Sequence, residues 1–385
     1  MSAPQHTPIL DLAAQLSGYR DAALAAITRV IDSQQFILGP EVDSFEAALA
    51  TSVGTRGAVG LSSGTDALLV ALMALDVGPG DEVIVPAMSF FATAGAVSRL
   101  GATPVFVDVD PRTFNMTEAH ARAALTPRTK AIIPVHLFGQ TADLGALYDT
   151  PSASRPYIIE DAAQAIGSAW RGRPSGSLGE VCCTSFFPSK NLGCFGDGGA
   201  VYGDDLDLLE KIRVLRMHGS KPKYHHLLVG GNFRLDALQA AVLSVKLPLL
   251  EGWAEARRRN AAWYIEGLKA RGLIGEDLVG ERLTAPLTLP HHTHVFNQFV
   301  VRTPARDALK AHLERAGIGT MIYYPSPLHT QPCFAPLGYQ QGDFPEAERA
   351  CREVLAIPVY PEMTEAQRAG VLEALCGFFE GEGRA

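Results

Sequence analysis

VCCTSFFPSKNLGCFGDGG, from Val181 to Gly199, is the stretch whose reading decides the fold. Cys183, Ser185 and Phe187 alternate with Thr184 and Phe186 in the two-residue period of a buried strand. The run stops at one lysine, Lys190, and gives way to glycines, so Lys190 sits just past a strand end. Among Phe186, Phe187, Leu192 and Phe195 its ammonium group is expected to be partly desolvated, which lowers its pKa. An amine held that way is a nucleophile near neutral pH. Taken alone, the same residue also reads as a surface lysine in a loop, because perturbed groups point to function only statistically.

Upstream, YIIEDAAQAIG, Tyr157 to Gly167, is an apolar strand ending at the adjacent acids Glu160 and Asp161. In a parallel sheet the C-terminal strand ends converge on one crevice. A lysine, an acid and a phosphate seat gathered there would describe pyridoxal phosphate, which needs a lysine for its Schiff base and an acid to keep its pyridine nitrogen protonated. Asp161 suits the second role; a helix N-cap before Ala162 is its structural alternative. SSGTDALLVALMAL, Ser62 to Leu75, follows the short strand GAVGL and opens an apolar helix with a polar turn. Gly64, Thr65 and Asp66 there would offer N–H groups and hydroxyls at a helix N-terminus, where the dipole favours phosphate, unless Thr65 or Asp66 is a plain cap. After the strand GDEVIVP, Phe90 is an aromatic at a strand end, able to stack on a planar ring or simply to fill core.

Between these points strand and helix alternate at short spacing: helix 92–100, strand 104–108, helix 118–125, strand 131–135, helix 142–148, then the Asp161 strand. This predicts an α/β fold with a mostly parallel, doubly wound sheet. After the Lys190 loop come a strand at 200–202 and a helix at 206–217. HGSKPKYHHLLVGGNFR, His218 to Arg234, then breaks the regularity and must run over the surface or across a partner. A long helical pattern from Asp236 to about Leu268, interrupted at Pro248, carries the chain onward. The remainder predicts strand 296–301, helix 307–317, a strand near 319–323 and a final helix 365–379. The boundary is expected near residue 250, with a large cofactor-binding domain over 1–250 and a small α+β domain over 251–385 closing one side of the crevice.

At 385 residues, 47% hydrophobic and 19% charged, the chain has the composition of an ordinary globular protein of about two domains. A net charge of −8 gives no basic footprint for nucleic acid. The one basic run, Arg257-Arg258-Arg259, reads as a solvated helix face. No apolar run approaches the roughly 20 residues that span a bilayer, and no secretory leader pattern opens the chain. Six cysteines without CxxC spacing argue for reduced thiols and a cytoplasmic location. His218, His225 and His226 lack a completing ligand set, and His291, His292 and His294 read as the polar lead-in to the strand at Phe296, so no metal site is expected.

Together, SGTDAL, GDEVIVP, PVFVDVDPRTFN, AIIPVHLFGQ, EDAAQAIG, SFFPSKNLGCFGDGG, HGSKPKYHH, GGNFRLDALQAA and YYPSPLH closely resemble the DegT/DnrJ/EryC1/StrS family of sugar aminotransferases, in order, from about residue 8 to 362. The resemblance implies a fold-type I pyridoxal-phosphate enzyme, working as a homodimer with shared active sites. Residue by residue it implies that Lys190 forms the Schiff base and Asp161 partners the pyridinium. It places Gln164 beside the ring, Gly64, Thr65 and Ser185 on the phosphate, and Phe90 on the ring face. Asn232 is implied to reach the phosphate of the partner subunit's cofactor.

The implied reaction moves an amino group from glutamate to a keto nucleotide sugar, with Lys190 also shuttling the proton. The Lys190 loop and the KYHH segment look most like the branch acting on 3-keto sugars, including the enzyme for UDP-2-acetamido-2-deoxy-3-oxo-glucuronate. Arg234, Tyr323 and Tyr324 are the implied substrate contacts, and a guanidinium would suit a uronate carboxylate. The family's usual histidine before tyrosine-proline is Tyr323 here, a departure in the substrate region. Members with histidine in place of the lysine are dehydratases, which Lys190 argues against. A 4-keto-6-deoxy sugar or a cyclitol is the alternative substrate. A non-catalytic regulatory role is a remote one, for which there is neither a helix-turn-helix nor a basic face.

Overall fold

The computed structural model describes residues 6–381. Seven short apolar segments bounded by turns become strands: β1 Gly57–Leu61, β2 Glu82–Pro86, β3 Thr103–Val107, β4 Thr129–Ile132, β5 Tyr157–Asp161, β6 Val181–Ser185 and β7 Gly199–Gly203. They form one sheet in the order β1-β7-β6-β5-β4-β2-β3. The pairings β2/β3, β2/β4, β4/β5 and β5/β6 are parallel. β7 is antiparallel to both neighbours, β1 and β6. Its direction follows from its connection, because residues 186–198 hold no helix and the chain turns back beside β6 instead of crossing over. Helices cover both faces. Gly64–Ala74, Ala92–Arg99 and Leu206–Arg216 pack with Val181, Cys183 and Val201 on one side. Arg20–Ser33, Pro40–Val53 and Ala237–Lys246 pack with Cys182, Ala200 and Tyr202 on the other.

A two-stranded antiparallel sheet, β8 Phe299–Arg302 against β9 Val354–Ile357, shares a separate core with the helices Leu250–Ala270, Arg306–Arg315 and Glu365–Gly381. Here the structure departs from the sequence reading. The segment near 319–323 is not a strand and makes only the isolated bridge Met321 to Ala356. The partner of β8 is β9, which follows the helix Pro345–Glu353 that periodicity left unassigned. Residues after Asp161 form turns, so Asp161 caps no helix. His292–Thr293 pairs with Ala169–Trp170 in a small third sheet, and His294 is buried against Phe296, ring centroids 3.9 Å apart. Burial pulls His294 down to about 3, so the ring is neutral. The described residues hold no group of three or more histidine, cysteine or acidic side chains able to take a metal ion. All six cysteines are free. No described helix is long and apolar enough to cross a membrane.

Arg257 is a second correction. Instead of lying on a solvated face, it falls on the buried stripe Leu250, Ala254, Arg257, Ala261, Tyr264 and Leu268 of its helix. Its neighbours Arg258 and Arg259 pair with Glu251 and Glu255 in solvent.

Candidate active site

The ends of β5 and β6 and the start of helix Gly64–Ala74 meet at a cavity of about 490 Å³. Gly64, Thr65, Phe90, Asp161, Gln164, Ser185, Lys190, Tyr323 and Tyr324 all line it. The helix start is held close for steric reasons. A Cβ on Gly64 would lie 2.6 Å from the Ser185 Cβ, and one on Gly199 would lie 2.4 Å from the Ser63 backbone. Ser63 is the N-cap, its Oγ accepting from the Asp66 N–H at 3.0 Å. Thr65 and Asp66 therefore sit inside the first turn and cap nothing. An α-helix leaves its first N–H groups without intrahelical partners. Those of Gly64 and Thr65, at the cavity wall, are the ones a phosphate would take.

Asp161 is buried, and strand alternation turns it away from Glu160. Its Oδ2 accepts from Thr93 Oγ1 at 2.9 Å and its Oδ1 from the Ala163 N–H at 3.2 Å. Thr93 has one hydroxyl proton and gives it to the carboxylate, so in the 2.8 Å contact between Ser89 and Thr93 hydroxyls Ser89 is the donor. Burial raises the Asp161 pKa; the two hydrogen bonds and the charge of Lys190 work against that rise. Glu160, fully buried, accepts from the N–H groups of Gly176, Leu178 and Gly179 and meets His136 Nε2 at 3.0 Å. His136 Nδ1 accepts from the Ala142 N–H, which leaves the ring proton on Nε2 to be donated to Glu160.

Lys190 is half-buried. Burial lowers its pKa to about 8, with the negative charge of Asp161 acting in the opposite sense. Its backbone N–H donates to the Phe187 carbonyl at 2.8 Å, and the Phe187 N–H donates to Ser185 Oγ at 3.3 Å. Behind this turn the Cys194 N–H holds the Phe186 carbonyl at 2.8 Å, and the buried Lys246 ammonium donates to the Gly193 carbonyl. The Lys246 charge lies 5.2 Å from the Tyr19 ring centre and 5.7 Å from that of Trp253. Across the cavity Gln164 is fixed at both ends. Its Oε1 accepts from the Phe138 N–H at 2.7 Å and its Nε2 donates to the Tyr324 hydroxyl at 3.2 Å. Tyr324 is raised by burial and by the charge of Asp161, so it stays a neutral phenol. Its ring centre lies 6.2 Å from that of Phe90.

Asn232 and Arg234 do not line this cavity. Asn232 is exposed, and both lie on an extended segment, bridged to Met217 and Leu61 respectively. Ser89, Thr93, Asp197 and Gln298 are site groups that sequence reasoning missed: Thr93 orients Asp161, and the other three line the cavity. Thr93 had a signal, being a hydroxyl on the wholly buried stretch Ala92–Val97. The donor set fits pyridoxal phosphate, with a lysine of lowered pKa, a buried carboxylate and a phosphate seat of helix N–H groups around a glycine with no room for a side chain.

Comparisons with known proteins agree with this geometry. The chain is 48% identical over 374 residues to a Geobacillus stearothermophilus protein named "Pleiotropic regulatory protein", covering 97% of this chain and 99% of that one. It is 47% identical over 364 residues to the UDP-N-acetyl-3-dehydro-alpha-D-glucosamine 3-aminotransferase of Acidithiobacillus ferrooxidans, covering 94% and 95%. Among solved structures, S. venezuelae DesV superposes with a TM-score of 0.92 at 43% identity, covering 97% of this chain and 99% of that one. The fold is that of a fold-type I pyridoxal-phosphate enzyme. With the family model matching residues 19–376, the chain belongs to the DegT/DnrJ/EryC1/StrS aminotransferase family.

Proposed function

We propose that this protein transfers an amino group from glutamate to a 3-keto nucleotide sugar, using pyridoxal phosphate held by Lys190. The observation that carries the reading is the placement of Lys190, with its pKa lowered to about 8, in one cavity with the buried carboxylate of Asp161. When bound, pyridoxal phosphate supplies an aldehyde for the amine and a ring that spreads the charge of a carbanion. At neutral pH about a tenth of Lys190 is the free amine, one pH unit below its pKa, so Nζ can attack a carbonyl or accept a proton. With the cofactor bound, the same Nζ would be the base placed to move a proton to and from the donor's α-carbon. Asp161, aligned by Thr93, would hold a proton on the ring nitrogen; Gly64, Thr65 and Ser185 would take the phosphate, Gln164 and Phe90 the ring.

The substrate class rests on relatives whose names specify 3-keto or 3-amino sugars. A homodimer completes the site in this reading, with Asn232 and Arg234 serving the cavity of the partner subunit. Phe90, Phe187, Tyr224, Leu227 and Val229 are each more than half exposed, apolar surface that a second copy would cover. Residues 1–250 act as the cofactor-binding domain, 251–385 as the smaller one, in the cytoplasm. An absorbance titration tests the function. The visible band of lysine-linked cofactor should give way on adding L-glutamate and return with 3-keto but not 4-keto nucleotide sugars. No band after adding pyridoxal phosphate, or no response to glutamate, refutes the reading.

A further inference from the structure

A second cavity, of about 70 Å³, adjoins the first; Ser189, Gln298 and Tyr323 line both. Arg257 lines it from the buried stripe of its helix and is only 3% exposed. A guanidinium carries five donors. This one makes two long hydrogen bonds, Nη1 to the carbonyls of Phe296 and Asn297 at 3.4 Å each, and its Nε has no acceptor. Among the described residues no carboxylate lies within ion-pair distance of it. The acid whose charge reaches it, Glu362, does not line the cavity. The side-chain oxygens of Asn297 and Gln298 on the same wall are likewise buried without partners. Half a turn of either amide presents N–H groups instead. Buried polar groups are ordinarily satisfied, so three under-satisfied side chains around one space beside Ser189 point to something that joins them. The lining offers a positive charge and amides and no acid, and a guanidinium binds a carboxylate in bidentate fashion. Burial lowers Arg257 only to about 10, so it stays charged at neutral pH.

We propose that Arg257, Asn297 and Gln298 form a carboxylate subsite reached from the Lys190 cavity, filled during the reaction by a carboxylate of the dicarboxylic amino donor or of a uronate sugar. The assignment of its role rests on the transaminase reading above. The first test is calorimetric binding of glutarate, a dicarboxylate without an amine, to the cofactor-loaded protein. Wild type should bind it; Arg257→Gln should weaken binding roughly 10- to 150-fold, the range for a hydrogen bond to a charged group, and Arg257→Lys should recover part of the loss. The two half-reactions then separate the sources. A loss confined to the L-glutamate step assigns the donor; a loss confined to a uronate-bearing keto sugar, with its 6-hydroxymethyl counterpart unaffected, assigns the sugar. Circular dichroism checks the fold, and Gln298→Leu carries the same test if Arg257→Gln does not fold. Folded Arg257→Gln that binds glutarate like wild type, with both half-reactions unchanged, overturns the subsite. Wild type that binds glutarate but transaminates nothing overturns the proposed function and leaves the subsite standing.

Discussion

Thr93→Val removes the hydroxyl that donates to Asp161, together with the acceptor of Ser89, and so tests what that hydroxyl does for Asp161. Thr93 is fully buried and donates to Asp161 Oδ2 at 2.9 Å. A hydrogen bond to a charged group contributes about 1.5–3 kcal/mol. At about 1.36 kcal/mol per pKa unit, losing it raises the Asp161 carboxyl by about one to two units, on top of the rise burial already imposes. Only the ionised carboxylate partners a protonated ring nitrogen. The acid limb of cofactor binding should therefore move up by the same one to two units. Titrating the cofactor-free protein with pyridoxal phosphate between pH 5 and 9, following the visible band, gives that limb directly. Ser89→Ala, which removes the donor to Thr93 and leaves the Thr93–Asp161 contact intact, should shift it in the same direction by less. Binding curves for Thr93→Val that superimpose on wild type at every pH would refute the argument that this contact sets the Asp161 charge.

Gly64→Ala places a methyl 2.6 Å from the Ser185 Cβ, so either the helix start or the end of β6 must give way. An overpacking cost of about 1–3 kcal/mol in thermal stability and weaker cofactor binding are expected, measured by calorimetry and by the visible band. Glu160→Ala strips three backbone N–H groups and His136 of their buried acceptor and should cost about 3–5 kcal/mol in urea unfolding, whereas Asp161→Ala should chiefly abolish activity. Burial holds both Lys190 and Lys246 at about 8, against an ordinary 10.5. Between those values the unfolded chain binds the proton the folded one has released, so the contribution of these two lysines to stability rises with pH from about 8 to 10.5. Buried thiols such as Cys182 and Cys183, raised by burial, act in the opposite sense above about pH 9, so the lysine contribution is read as a difference: the urea midpoint of cofactor-free wild type should gain on that of Lys246→Met as pH rises through the window.

Lys190 and Asp161 were legible in the sequence because each is a chemically active side chain at the end of an apolar run, where strand ends meet in this class of sheet. The core stripes, the sheet and the family were legible for a related reason, since period and punctuation are local properties. What was not legible depends on contacts distant in sequence. Thr93 lies 68 residues from the carboxylate it orients, and the Phe138 N–H that fixes Gln164 belongs to a left-handed residue, φ 61°. The direction of β7 depends on how residues 186–198 fold back, which their composition does not state. Arg257 was misread because a charged residue inside a run of three suggests solvent, while its spacing from Ala254, Ala261 and Tyr264 places it inward. In that case periodicity was the better guide than charge.

Strand alternation also gives the two adjacent acids their different roles. Successive side chains of β5 point to opposite faces, so Glu160 and Asp161 cannot share an environment. Glu160 turns into a pocket of backbone N–H groups, where its charge holds the 176–179 turn and the His136 proton in place. Asp161 turns to the cavity with only two hydrogen bonds, so its burial is incompletely compensated and its pKa stays high. Lys190 faces the converse deficit, a lysine lowered by burial and only partly restored by Asp161. The carboxylate that is fully satisfied supports the fold. The carboxylate and the amine that are not fully satisfied are the pair that, in the proposed function, a ring nitrogen and an aldehyde would complete.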